Sequence, residues 1–93
     1  METIKFRVTG LWYEFLNVYL EAKETEKGIK AKFMLIKKLF PHGNQVKSFK
    51  MTKGDCGLII DYLGDIRYFD TMHPSTRRGF ENMYNKIKDF MDV

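Results

Sequence analysis

The chain has 93 residues, a net charge of +4, 44% hydrophobic and 15% aromatic residues, and one cysteine, Cys56. That length makes one domain over residues 1–93, and that apolar content supports a packed core, which excludes a disordered chain. No apolar run approaches the roughly 18 residues of a membrane helix, the stretch from Met1 to Arg7 lacks a signal-peptide pattern, and a lone cysteine makes neither an internal disulfide nor a metal site, so a cytoplasmic protein without membrane contact is expected.

Thr3 to Val8 alternates, with Ile4, Phe6 and Val8 on one face, and reads as a strand broken by Thr9-Gly10. Residues 11–26 admit two readings. Glu14, Asn17, Glu21 and Glu24 recur at helical spacing, which permits an amphipathic helix. A hairpin accounts for more: Glu24 to Gly28 forms a tight turn, and pairing Glu24 with Ile29 sets Ala22 against Ala31, Leu20 against Phe33 and Val18 against Leu35. Leu16, Val18, Leu20, Ala22, Ile29, Ala31, Phe33 and Leu35 then share one face, with Glu21 across from Lys32 on the other. The hairpin is the preferred expectation.

Phe40 to Asn44 is a turn, and Val46 to Met51 returns as a strand. Thr52-Lys53-Gly54-Asp55 has capping-box spacing, so a helix follows, with Ile59, Ile60, Leu63 and Ile66 on its apolar side. Arg67 to Met72 is a connector. Pro74-Ser75-Thr76 starts a last helix whose stripe is Phe80, Met83, Tyr84, Ile87, Phe90 and Met91. The expected fold is α+β: an antiparallel meander of about four strands, packed on one face by two C-terminal helices.

The charge is segregated. Lys27, Lys30, Lys32, Lys37, Lys38, Lys47, Lys50 and Lys53 lie in a segment with no Asp or Glu between Glu26 and Asp55, and both flanks are net acidic. On the hairpin, Lys30, Lys32 and Lys50 form an outward ribbon able to track phosphates or an acidic protein. The same lysines would also serve to keep strand edges soluble. The basic contact surface expected is Lys30, Lys32, Lys37, Lys38, Lys47, Lys50 and Lys53. Stacking aromatics beside them are limited to Tyr19 and Phe49, and no ribonucleoprotein, zinc-finger or helix-turn-helix signature is present.

A second candidate is the start of the last helix, where Ser75, Arg77 and Arg78 combine a hydroxyl, free amides and two arginines into an anion or interface site. Capping by Ser or Thr with surface arginines explains the same residues. Cys56 near a helix start, with His42 and His73, offers thiol chemistry only on paper: Asp55 raises the thiol pKa, and free cysteines are usually buried. Asp55, Asp61, Asp65 and Asp70 form no metal-loop pattern. Trp12 and Tyr13 alternate, so one of them faces away from the helices as an interface aromatic.

No paired-carboxylate, phosphate-loop or nucleophile motif emerges, so no cofactor and no enzymatic role are expected. The function read from the sequence is a small binding or regulatory protein that docks on a partner protein or a protein–nucleic-acid complex. The abundance of Phe, Tyr, Met, Ile, Asn and Lys fits an AT-rich genome, hence a phage or mobile-element origin and a role such as inhibiting a host nuclease or defence system. The alternative is direct nucleic-acid binding through the lysine ribbon, and self-association through the aromatics is a further option.

Overall fold

The computed structural model describes residues 2–20, 25–66 and 71–92. Strand β1 spans Thr3–Arg7, and a short helix α1 (Gly10–Glu14) runs directly into a π-helical turn, Phe15–Tyr19. Helix α2 spans Glu26–Leu39, strand β2 Ser48–Thr52, helix α3 Lys53–Ile66 and helix α4 Pro74–Met91. The described residues therefore form four helices and one two-stranded antiparallel sheet. Among the described residues the expected four-strand meander is not formed. Its outer members pair directly with each other, Thr3 with Thr52 through Arg7 with Ser48, and its central hairpin is helical.

The reason lies in which residues are buried. Around α1 the inward set is Trp12, Phe15, Leu16 and Tyr19, while Glu14, Asn17 and Val18 face out. On α2 it is Gly28, Ala31, Leu35 and Leu39, spaced by three or four residues, and Ile29 and Phe33 face solvent. A hairpin would have put Val18, Ile29 and Phe33 in the core. The supposed hairpin turn is instead a helix cap: Thr25 is extended, and its Oγ1 accepts from the Gly28 amide at 3.0 Å. Gly28 supplies no left-handed turn, since Gly43 in the Phe40–Asn44 turn is the one described residue with positive φ. The portion of the hairpin placed on residues 21–24 lies outside the described residues, as do residues 67–70 of the connector.

Alternation on the two strands is as the sequence implies. Ile4 and Phe6 of β1 and Phe49 and Met51 of β2 are buried against the helices, and the intervening positions face away. Trp12 is the centre of this interior. Its ring meets Phe6 at 5.1 Å and Phe49 at 5.0 Å edge-on, and Phe15 at 6.4 Å. Phe15 continues the cluster to Phe80 of α4. The interface role expected of Trp12 is thus overturned by burial, and Tyr13 is half-buried against Phe40.

Helix α3 begins where the capping-box spacing places it. Thr52 Oγ1 accepts from the Asp55 amide at 3.2 Å, and the Asp55 carboxylate accepts from the Thr52 amide at 3.0 Å. These bonds tie β2 to α3 with no intervening loop. Replacing Thr52 by Ala is expected to cost about 1 kcal/mol, because it returns an amide at the helix start to solvent without a partner. A thermal melt should then shift down by roughly 4–8 °C.

Candidate functional site

The unbroken lysine run of the sequence is not one surface in space. Acids from distant segments come to several of its members. Lys27 pairs with Asp61 at 2.8 Å, Lys38 with Asp55 at 3.2 Å and Lys53 with Glu2 at 3.6 Å, while Lys30 reaches back one turn to Glu26 at 3.5 Å. The Lys38–Asp55 pair is half-buried between α2 and α3, so Lys38 is a tie within the fold. Lys30, Lys32 and Lys37 lie on α2, whereas Lys47 and Lys50 belong to the sheet side. The ribbon of Lys30, Lys32 and Lys50 is therefore corrected: helix and strand carry separate groups.

Helix α2 presents the more unusual face. Ile29, Phe33 and Ile36 are 52%, 62% and 38% exposed, and Val18 on the π-helical turn is 66% exposed. The spacing of 29, 33 and 36 puts the first three side chains within roughly 60° of one another about the helix axis. They form a short apolar ridge opposite the buried Ala31–Leu35–Leu39 line. Lys30 and Lys37 flank this ridge on one side and Lys32 on the other, by the same helical arithmetic. An open groove beside it is lined by Lys30, Phe33, Met34, Lys37 and Lys38. Three clustered large apolar side chains in water are worth explaining, where scattered ones are not. The sequence reading missed Ile29 and Ile36 as surface residues because it assigned Ile29 and Phe33 to a strand. The 3–4 spacing of Ala31, Leu35 and Leu39 was the available signal.

The start of α4 is organised differently from the expected anion site. His73 is the N-cap: its Nδ1 accepts from the Ser75 amide at 3.2 Å and lies 2.7 Å from the Ser75 hydroxyl. Pro74 removes a further amide at the first turn. The groups that an anion would use at Ser75 are engaged by His73. Arg77 is half-buried and Arg78 is exposed. Asp70 lies outside the described residues.

Cys56 is fully buried in α3, and burial, aided by the Asp55 charge, pushes its thiol up to about 11. At neutral pH it is a protonated core side chain. The acids have structural partners too. Asp65 accepts from the Tyr19 hydroxyl at 3.2 Å, and burial followed by the Asp65 charge raises the Tyr19 pKa. Asp61 holds Lys27, and Asp55 serves both the cap and Lys38. Among the described residues no three His, Cys, Asp or Glu side chains gather as metal ligands.

A cavity of about 430 Å³ lies between the π-helical turn, the end of α3 and the start of α4. Val18, Tyr19, Ile66, Met72 and Phe80 give it mostly apolar walls, and Glu14 and His73 stand among its lining residues. Tyr13 Oη is buried with no hydrogen-bond partner among the described residues. No helix among them is long and apolar enough to cross a membrane. No protein-family model, no curated protein and no solved structure matches this chain.

Proposed function

We propose that this protein is a non-enzymatic binding protein that docks on an acidic partner protein through the outer face of α2. The observation that carries the reading is the Ile29–Phe33–Ile36 ridge with lysines on its flanks. An apolar centre with a charged rim is the arrangement of an interface: the centre supplies desolvation energy, and the rim supplies steering and register. The lysines specify the sign of the partner. Lys30, Lys32 and Lys37 outnumber Glu26, the acid that Lys30 holds beside the ridge, and this net positive rim favours an acidic surface with an apolar furrow or helix stripe over a second copy of the same face. Phosphates alone would leave the ridge unused.

The AT-rich residue usage supports a narrower version, in which the partner belongs to a host nuclease or defence complex and the protein inhibits it by occupying that surface. The test is binding with and without the ridge. Phe33→Asp is expected to weaken partner binding by at least about 30-fold, or about 2 kcal/mol, as for a central apolar anchor. Lys37→Glu should chiefly slow association and reduce its salt dependence. Equal recovery of the partner by wild type and Phe33→Asp from a lysate of the source cell would refute the reading.

A further inference from the structure

The outward face of the β1–β2 ribbon plays no part in docking through α2. Alternation places Thr3, Lys5 and Arg7 of β1 beside Ser48, Lys50 and Thr52 of β2 on this face, opposite Ile4, Phe6, Phe49 and Met51. All six are cationic or hydroxyl-bearing, and none is acidic. Lys5 and Lys50 are direct cross-strand partners. Like charges so placed repel, and one acid at either position would relieve this, so the pair is a stability cost that the fold tolerates.

Further cations gather at the same ribbon. The Val8 amide bonds the Lys47 carbonyl at 2.9 Å, which prolongs the ladder by one step and sets Lys47 across from Val8 at the end of the ribbon. Lys5, Arg7, Lys47 and Ser48 line one open groove. Lys86 of α4 also touches β1, its Nζ donating to the Lys5 carbonyl at 2.9 Å, but it lies 4.4 Å from the ring centre of inward-facing Phe6 and so does not belong to the outward face. Unlike Lys27, Lys38 and Lys53, the cations Lys5, Arg7, Lys47 and Lys50 have no acidic partner among the described residues.

We propose that this face binds duplex DNA, with the two-stranded ribbon lying in the major groove. The strands are about 4.8 Å apart, and such a pair fits a groove about 12 Å wide. Lys and Arg reach phosphates and guanine edges, and Ser and Thr hydroxyls bond either phosphates or bases. The deep, narrow major groove of duplex RNA does not admit the ribbon. The face carries no aromatic side chain on which single-stranded bases would stack. It also lacks an apolar anchor, which separates it from a protein-docking surface such as that of α2.

The experiment is an anisotropy titration of a labelled mixed-sequence DNA duplex of about two helical turns, over roughly 50 to 200 mM salt. Neutralising four phosphates predicts a slope of log affinity against log salt of about −3.5. In the Lys5→Gln/Lys50→Gln variant the slope should become shallower by about 2. Lys5→Glu should weaken binding by about tenfold or more while raising the melting temperature, since it turns a repulsive cross-strand pair into an attractive one. That opposite movement separates lost contact from lost folding. Phe33→Asp should leave DNA affinity unchanged, so failure of the docking surface is distinguishable from failure of the ribbon. Absence of duplex binding at the lowest salt, unchanged affinity in Lys5→Glu, or equally tight binding of polyglutamate, duplex RNA or single strands would overturn the proposal.

Discussion

Leu35→Asp is expected to leave the chain unfolded, whereas Phe33→Asp, two positions away, should leave it folded. Leu35 is fully buried on the inner face of α2 with Ala31 and Leu39. An aspartate there removes a core side chain and strands a carboxylate with no partner. Either change alone costs about 3–5 kcal/mol, a large share of the roughly 5–15 kcal/mol that holds a small domain together. Phe33 stands on the opposite, solvent-facing side, where a substitution changes stability by about 0.5 kcal/mol or less. The contrast is diagnostic because the two residues share a face in any strand and occupy opposite faces only in a helix. Circular dichroism with urea unfolding reads it directly. Equal loss of folding in both variants would restore the hairpin and remove the exposed ridge.

Trp12→Ala should be comparably severe. Trp12 is 1% exposed and touches rings from β1, β2 and the π-helical turn. It is the joint through which the sheet meets the helices. Removing a buried Trp costs about 3–5 kcal/mol from lost transfer energy and the cavity left behind. Edge-on ring pairs of this kind add about 0.5–1.5 kcal/mol each beyond area burial. The midpoint of urea unfolding should fall sharply with little change in slope, since the surface exposed on unfolding is nearly the same. Trp12→Phe keeps a ring at the joint and should lose much less. An interface anchor would show the reverse, with weakened binding and unchanged stability.

How much of this was legible in the sequence differs from element to element. The strand Thr3–Arg7 announced itself because its buried residues are Ile4 and Phe6 and its exposed ones are polar. The start of α3 was legible from Thr52 and Asp55 because a capping box is local chemistry, formed within four residues. The middle of the chain was not. With apolar residues so frequent between Leu11 and Leu39, both a two-residue and a 3.6-residue period can be traced, and the hairpin register used Val18, Ile29 and Phe33, which the fold exposes. Helix propensity favoured the other answer, since α2 carries five Lys, two Leu, one Ala and one Met and has only Ile29 and Ile36 as β-branched residues.

The arrangement of charge was hidden for a related reason. Charge segregation along the chain was visible, but its neutralisation was not, because Asp61, Asp55 and Glu2 reach the lysines only after folding. The pairing of β1 with β2 that sets Lys5 across from Lys50 is likewise a long-range fact. Lys5 and Arg7 could have been noted as the outward positions of the first strand. Lys86 could not, since its place depends on how α4 crosses the sheet edge.

The docking surface is tested most directly by photocrosslinking from position 33. A benzophenone amino acid placed there, and at exposed Asn82 on α4 as a control, would be irradiated in a lysate of the source cell at low salt. The expected result is a discrete adduct with an acidic protein from position 33, competed away by unlabelled wild type but not by Phe33→Asp, and none from position 82. Absence of an adduct at position 33, or the same adducts from both positions, would contradict a partner seated on the outer face of α2.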